Sequence, residues 1–305
     1  MTITEFNRKL KPWILPIAML MGVLFHNQIE SVAFLTPYLI FTMLLITYCK
    51  VSFRNIRIEK SMIWLLAIQL IGSIAAYYVL NHWNHALAES IFICILCPTA
   101  TAAPVITGIL GGNVEKVVTY CLIINLAVAM LAPTMIAYIN ENVDIALYES
   151  MLTIASKVIP LLIGPLVIAF ILKYAMPKVQ STIAKHSGIT FYIWAIALII
   201  VVGNAVSFVM KEPTSAIPLM IAMGVLSLVA CLLQFRIGWL IGKKYGDTIA
   251  AAQSLGQKNT ILAIWLSLTY LEPIASVGPA CYVAWHNIVN SGQIYFKLKH
   301  NNENE

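Results

Sequence analysis

Apolar stretches of roughly 20 residues, nearly free of charge, follow one another from about Trp13 to about Phe296. A helix of that length crosses the hydrocarbon core of a bilayer. Inside lipid every backbone amide must find its partner within a helix or a closed barrel. The stretches are continuously apolar and not alternating, which excludes a transmembrane barrel. Composition agrees: 60% of the 305 residues are hydrophobic and 10% charged, too few charges to clothe a soluble domain. The expectation is an all-α integral membrane protein, a single membrane domain over 1–305. Ten spans are placed at about 13–29, 31–49, 61–80, 86–110, 114–139, 151–173, 189–210, 215–241, 247–270 and 274–296, with no soluble domain between them. Arg8, Lys9 and Lys11 precede the first apolar run, but no small-residue cleavage site follows, so that run reads as a retained span.

The net charge of +6 does not mark a nucleic-acid binder, because no basic patch interleaved with aromatics exists on a soluble surface. The basic residues instead alternate with the spans. Sixteen of them fall on one side: Arg8, Lys9, Lys11, Lys50, Arg54, Arg57, Lys60, Lys116, Lys173, Lys178, Lys185, Arg236, Lys243, Lys244, Lys297 and Lys299. The other side has Lys211 alone and collects Glu30, Glu141, Asp144, Glu149, Glu212 and Glu272. By the positive-inside rule both termini are cytoplasmic, and the chain is a multi-pass protein of the inner (plasma) membrane. Lys157 and Lys258 lie inside spans.

Ten spans with both ends on one side divide into five plus five of opposite orientation, an arrangement found in secondary transporters. The fourth span of each half is interrupted. In the first half it contains Cys97-Pro98-Thr99-Ala100-Thr101-Ala102-Ala103-Pro104, where two prolines remove amide donors. In the second it contains Ser254-Leu255-Gly256-Gln257-Lys258-Asn259-Thr260, a polar run amid apolar residues. Irregular backbone at that depth survives only when buried in protein or lining a wet cavity. The restarted helices turn amide ends toward the break, which favours anions. Thr101 and Thr260 are placed to cap those ends.

These segments resemble the bile acid/sodium symporter family and its bacterial homologues. The carriers of the resemblance are Cys97-Pro98 with the following Thr-Ala segment and Gly111-Gly112-Asn113-Val114, then Ser156-Lys157-Val158 with Pro160 and Pro165. Gly256-Gln257-Lys258-Asn259-Thr260-Ile261-Leu262-Ala263 and Trp285-His286-Asn287-Ile288-Val289-Asn290-Ser291 complete them. The resemblance implies ten helices with crossed broken spans. It further implies a panel at about 1–49 and 150–210 and a core at about 61–139 and 215–297. It implies transport of a small organic anion, a bile acid or small carboxylate, usually driven by sodium. Substrate contacts would fall on Thr101, Ala102, Asn259, Thr260, His286 and Asn287.

The family's sodium ligands map onto Gln69, Ala103, Pro104, Asn125, Ala129, Ser254 and Lys258. Of these Gln69 reads as a retained ligand, most of the other oxygens are lost, the shared carboxylate is replaced by Ser254, and an ammonium stands at Lys258. A protonated amine offers no lone pair and repels sodium. The expectation is that sodium coupling through these positions is weak or absent and that no other metal or cofactor is needed. Lys258 then serves as a fixed internal cation, or exchanges a proton during the cycle, or turns away to the interface. A charge at that depth usually marks a pathway.

Lys157 near the outer end of its span can snorkel. His286 is either a pathway group or an interhelical hydrogen-bonding histidine. Cys94-x-x-Cys97 on a span reads as two small hydrophobes, and His82 and His85 as a solvated loop. No H-E-x-x-H motif or paired aspartates at depth suggest an enzyme, and no polar rings line a channel. A transport-inactive membrane sensor on the same scaffold is the remaining alternative.

Overall fold

The computed structural model describes residues 14–50, 57–139, 147–186 and 188–302. The expectations resting on Arg8, Lys9, Lys11, Arg54, Glu141 and Asp144 lie outside the described residues. The described chain is helical, with no strand and one isolated antiparallel bridge. In order the helices are α1 (Ile14–Leu24), α2 (His26–Ile29), α3 (Thr36–Cys49), α4 (Lys60–Asn81), α5 (His85–Leu96), α6 (Ala103–Leu110) and α7 (Val114–Ile139). There follow α8 (Leu147–Ala175), α9 (Pro177–Lys185), α10 (Ile189–Val209), α11 (Ile217–Tyr245), α12 (Thr248–Gly256), α13 (Thr260–Tyr270) and α14 (Val277–Asn302).

Among the described residues six helical segments are long and apolar enough to cross a membrane: His26–Cys49, Lys60–Asn81, Val114–Ile139, Tyr148–Ala175, Ile189–Val209 and Thr214–Tyr245. This count is smaller than ten for a physical reason. The first stretch is described as the 11-residue α1, those at 86–110 and 247–270 are each cut into two short helices, and α14 carries polar residues along its length. Large exposed side chains such as Trp64, Ile71, Phe170 and Leu233 clothe the outside in hydrocarbon, as lipid requires and water would not.

The local chemistry explains the cuts. Asn84 caps the start of α5, its Oδ1 accepting from Leu87 N at 2.9 Å. α5 stops at Leu96 because Pro98 drives Cys97 out of the helical region, to φ −54° and ψ 141°. Pro104 occupies the first turn of α6, where its missing N–H is harmless. Gly111, at φ +83°, closes that helix in the left-handed conformation that glycine tolerates. Asp247 caps α12, accepting from Ala250 N at 2.8 Å. Its other oxygen accepts from Asn113 N at 3.1 Å and so ties the ends of the two broken stretches together.

Two features depart from the expected boundaries. The second stretch opens with a 3-10 turn, Glu30–Leu35, before α3 begins. The segment after α8 is the amphipathic helix α9, and Gln180 on it donates to the Cys49 carbonyl. Lys211 is ion-paired with Glu30 at 3.0 Å, and Lys116 with Glu59 at 2.9 Å. Gly238 and Gly242 on α11 face the Ala251 and Asp247 backbone, a G-x-x-x-G spacing that lets α12 lie directly on α11.

Candidate functional site

The two interruptions meet. Residues 98–100 and 257–259 run antiparallel, with Asn259 N donating to Pro98 O at 2.8 Å and Ala100 N to Gln257 O at 3.1 Å. Thr99 Oγ1 adds a bond to Ser254 O at 2.6 Å. Four helix ends therefore converge, the C-terminal ends of α5 and α12 and the N-terminal ends of α6 and α13. Backbone groups that a continuous helix would have satisfied find each other across the crossing.

Lys258 is buried, 1% exposed, and its Nζ donates to Ile95 O at 2.9 Å. It neither snorkels nor faces the restarted amide ends. It covers the carbonyl end of α5, where the helix dipole favours a cation. Gln69, on α4 and fully buried, works beside it, giving Nε2 to Leu96 O at 2.9 Å and Cys97 O at 2.7 Å. Tyr120 on α7 donates to Gln69 Oε1 at 3.0 Å and fixes the amide's orientation. Three successive carbonyls at the end of α5 are thus held by one ammonium and one carboxamide.

Other expected residues fall at varied places. Asn259 caps α13, its Oδ1 accepting from Leu262 N at 3.3 Å. This corrects the expectation that Thr260 caps that helix. The break ends one residue earlier, so the asparagine occupies the capping position and Thr260 is the first helical residue. α6 starts from Ala102 with no side-chain cap, so Thr101 does not cap it either. Thr101 and Ala102 are half-buried beside the crossing.

His286 on α14 is 3% exposed, lies edge-on to Tyr282 with centroids 5.8 Å apart, and leaves Nδ1 without a hydrogen-bond partner. Tyr282 joins this helix to the crossing through its hydroxyl, which donates to Gly256 O at 2.8 Å. Asn287 bonds its own helix, Nδ2 to Val283 O at 2.7 Å.

Ala103 packs with Val117, Cys121 and Ala250, while Pro104 is half-buried. Asn125 turns back to Cys121 O at 2.6 Å and leaves a buried Oδ1 without a partner, and Ala129 is fully buried in the main apolar cluster. Ser254 is buried and contributes its carbonyl to Thr99. The structure thus gathers Gln69, Ser254, Lys258, Asn259 and Thr260 at the crossing. It supplies no contact that brings Asn125 or Ala129 to them.

Sequence reasoning passed over several groups. Tyr120 and Tyr282 are aromatic residues in apolar runs, and only their partners reveal them. Gln257 donates to Gln253, and Gln253 to Asn290 Oδ1 at 3.3 Å and Gln293 Oε1 at 2.7 Å, a polar ladder leading away from the crossing. Asn290 and Gln293, three apart, share one face of α14, and Gln257 stands four residues after Gln253, just past the end of α12. A small cleft lined by Ser61, Leu65, Lys116, Tyr120, Asp247 and Ser254 approaches the crossing from the Lys116 end. Lys157 is exposed on α8. Cys94 and Cys97 are buried free thiols.

No family model matches the chain. It is 23% identical over 243 residues to the Bacillus subtilis protein named as the uncharacterized sodium-dependent transporter YocS, an alignment that takes in 73% of this chain and 71% of that relative.

Proposed function

We propose that the chain is a secondary transporter, a membrane protein and not an enzyme, that carries a small organic anion by alternating access at the crossing of its two broken helices. The observation that carries this reading is the antiparallel pairing of 98–100 with 257–259 inside an otherwise apolar helical protein. Non-helical backbone at such depth marks binding sites of carriers. The distant likeness to a protein named as a sodium-dependent transporter supports the same class. In this reading α5–α6 and α12–α13 are the broken fourth and ninth of ten spans. The two halves are inverted repeats, and both termini are cytoplasmic in the plasma membrane. The panel comprises about 1–49 and 150–210, the core about 61–139 and 215–297.

Sodium is not the driving ion in this proposal, although the relative's name carries it. The Ile95 carbonyl is already held by Lys258, and Gln69 holds the next two. A tethered ammonium therefore stands where a carbonyl-rich helix end would otherwise recruit a cation. The substrate anion would lie against Thr101, Ala102, Asn259, Thr260, His286 and Asn287, with the partnerless Nδ1 of His286 available to it. Proton coupling and uniport are the two driving modes left open by a fixed ammonium.

The test is thermal melting of the purified protein against a panel of small organic anions, with and without sodium, followed by uptake into vesicles. An anion that raises the melting temperature equally in sodium and potassium, and is taken up, is the expected result. Stabilisation that requires sodium overturns the role given to Lys258. Binding without uptake marks a sensor instead.

A further inference from the structure

A second cluster lies away from the crossing, where the start of α5 meets the turn between α13 and α14. His85 and Glu89 are one helical turn apart, so both side chains project from one face of α5. His85 Nε2 stands 3.3 Å from Glu89 Oε1. The other oxygen, Glu89 Oε2, accepts from Glu272 N at 2.8 Å, which holds the loop bearing Glu272 against the helix. Single ligand atoms of His85, Glu89 and Glu272 all lie within 4.8 Å of one another.

The other ring nitrogen of His85 is held by its own partners. Nδ1 is 3.1 Å from Asn81 Oδ1, an atom that only accepts. It is also 3.2 Å from the Tyr77 hydroxyl, whose own hydrogen goes to Ile139 O at 3.3 Å. A hydrogen on Nδ1 satisfies the Asn81 oxygen. Nε2 faces Glu89, and a metal bound there would take its lone pair while Nδ1 keeps its own partners. This is the arrangement in which an outer partner fixes the tautomer of a metal-binding histidine.

We propose that His85, Glu89 and Glu272 form a binding site for one divalent transition-metal ion of the zinc type. Imidazole nitrogen and carboxylate oxygens bind such an ion at about 2.0–2.2 Å, and two ligands at a tetrahedral angle then stand about 3.4 Å apart. The His85–Glu89 separation of 3.3 Å matches that edge. Glu272 is on the surface and closes the third position by a side-chain movement of about 1–1.5 Å. Charge points the same way. Two carboxylates and one imidazole sum to −1 or −2, a charge that a dication offsets. The ion would pin α5 to the turn that follows α13, bracing the outer ends of two helices that converge at the crossing. The site does not depend on what, if anything, the crossing carries.

The experiment uses the full chain, purified in detergent and stripped with a chelator. Zinc binding is followed by calorimetry, and cobalt by its visible absorption, which reports tetrahedral coordination. One ion per chain is expected, with a rise in melting temperature. Glu272→Gln, a surface change that leaves folding intact, weakens binding at least about tenfold, and His85→Gln abolishes it together with the cobalt bands. Binding that persists unchanged in both variants is adventitious, through the surface histidines, and overturns the proposal. So does the absence of binding in the parent protein, which would leave His85 and Glu89 as a plain ion pair.

Discussion

Replacing Gly238 by alanine tests how strictly the crossing depends on the contact of α11 with α12. A Cβ at Gly238 would stand 2.5 Å from Ala251 O and 2.8 Å from Ala252 Cα, whereas ordinary contact begins at 3.4 Å. The obstructing atoms are backbone, so no rotamer change relieves them. α12 must retreat by about 0.9 Å, the difference between the two distances. That retreat is transmitted to 257–259, whose bonds to Pro98 O and from Ala100 N are 2.8 and 3.1 Å long. Lengthened by that amount, both leave hydrogen-bonding range. Overpacking costs about 1–3 kcal/mol, and two buried backbone bonds about 1 kcal/mol each. The sum corresponds to a fall in melting temperature of roughly 5–15 °C in detergent. Gly72→Ala is the control, since nothing lies within 4 Å of its added carbon, and it should leave the midpoint unchanged or slightly higher. Equal melting of the two variants would refute the close approach and the coupling drawn from it.

Three further outcomes follow from the same geometry. Gln69→Leu strips Leu96 O and Cys97 O of their donor and leaves Tyr120 without its acceptor, so it should destabilise by about 2–4 kcal/mol, read as a lowered melting temperature. Asn259→Ala should cost about 1 kcal/mol through loss of the cap, whereas Thr260→Ala costs less, and the reverse order would contradict the position of the cap. Lys211→Ala breaks an exposed pair with Glu30 and should shift stability by no more than about 0.5 kcal/mol in a melting assay.

The features legible in the sequence were those fixed locally. Pro98 and Pro104 end and start helices wherever they stand, and the Gln257-Lys258-Asn259 run cannot lie in lipid. Both interruptions and the depth of Lys258 follow from these residues. The direction in which Lys258 reaches was not legible. Its turn toward Ile95 rather than toward the restarted amide ends depends on how far α5 extends, a matter of packing between residues 163 positions apart. The choice of Asn259 over Thr260 as the cap hangs on a one-residue register that composition does not set. His85 read as solvated loop because its partners Asn81 and Tyr77 belong to the preceding helix and Glu272 arrives from the other half of the chain. α9 was missed because its polar face resembles a loop when read without the apolar face that packs on α3 and α8.

The pairing of 98–100 with 257–259 has a mechanical consequence. Two hydrogen bonds and the Thr99 hydroxyl fasten one interrupted stretch to the other as a rivet fastens two straps. Pulling either strap lengthwise loads all three bonds at once, so the straps shift together or not at all. Any large displacement of either strap therefore carries the other with it, and the riveted centre moves as one body.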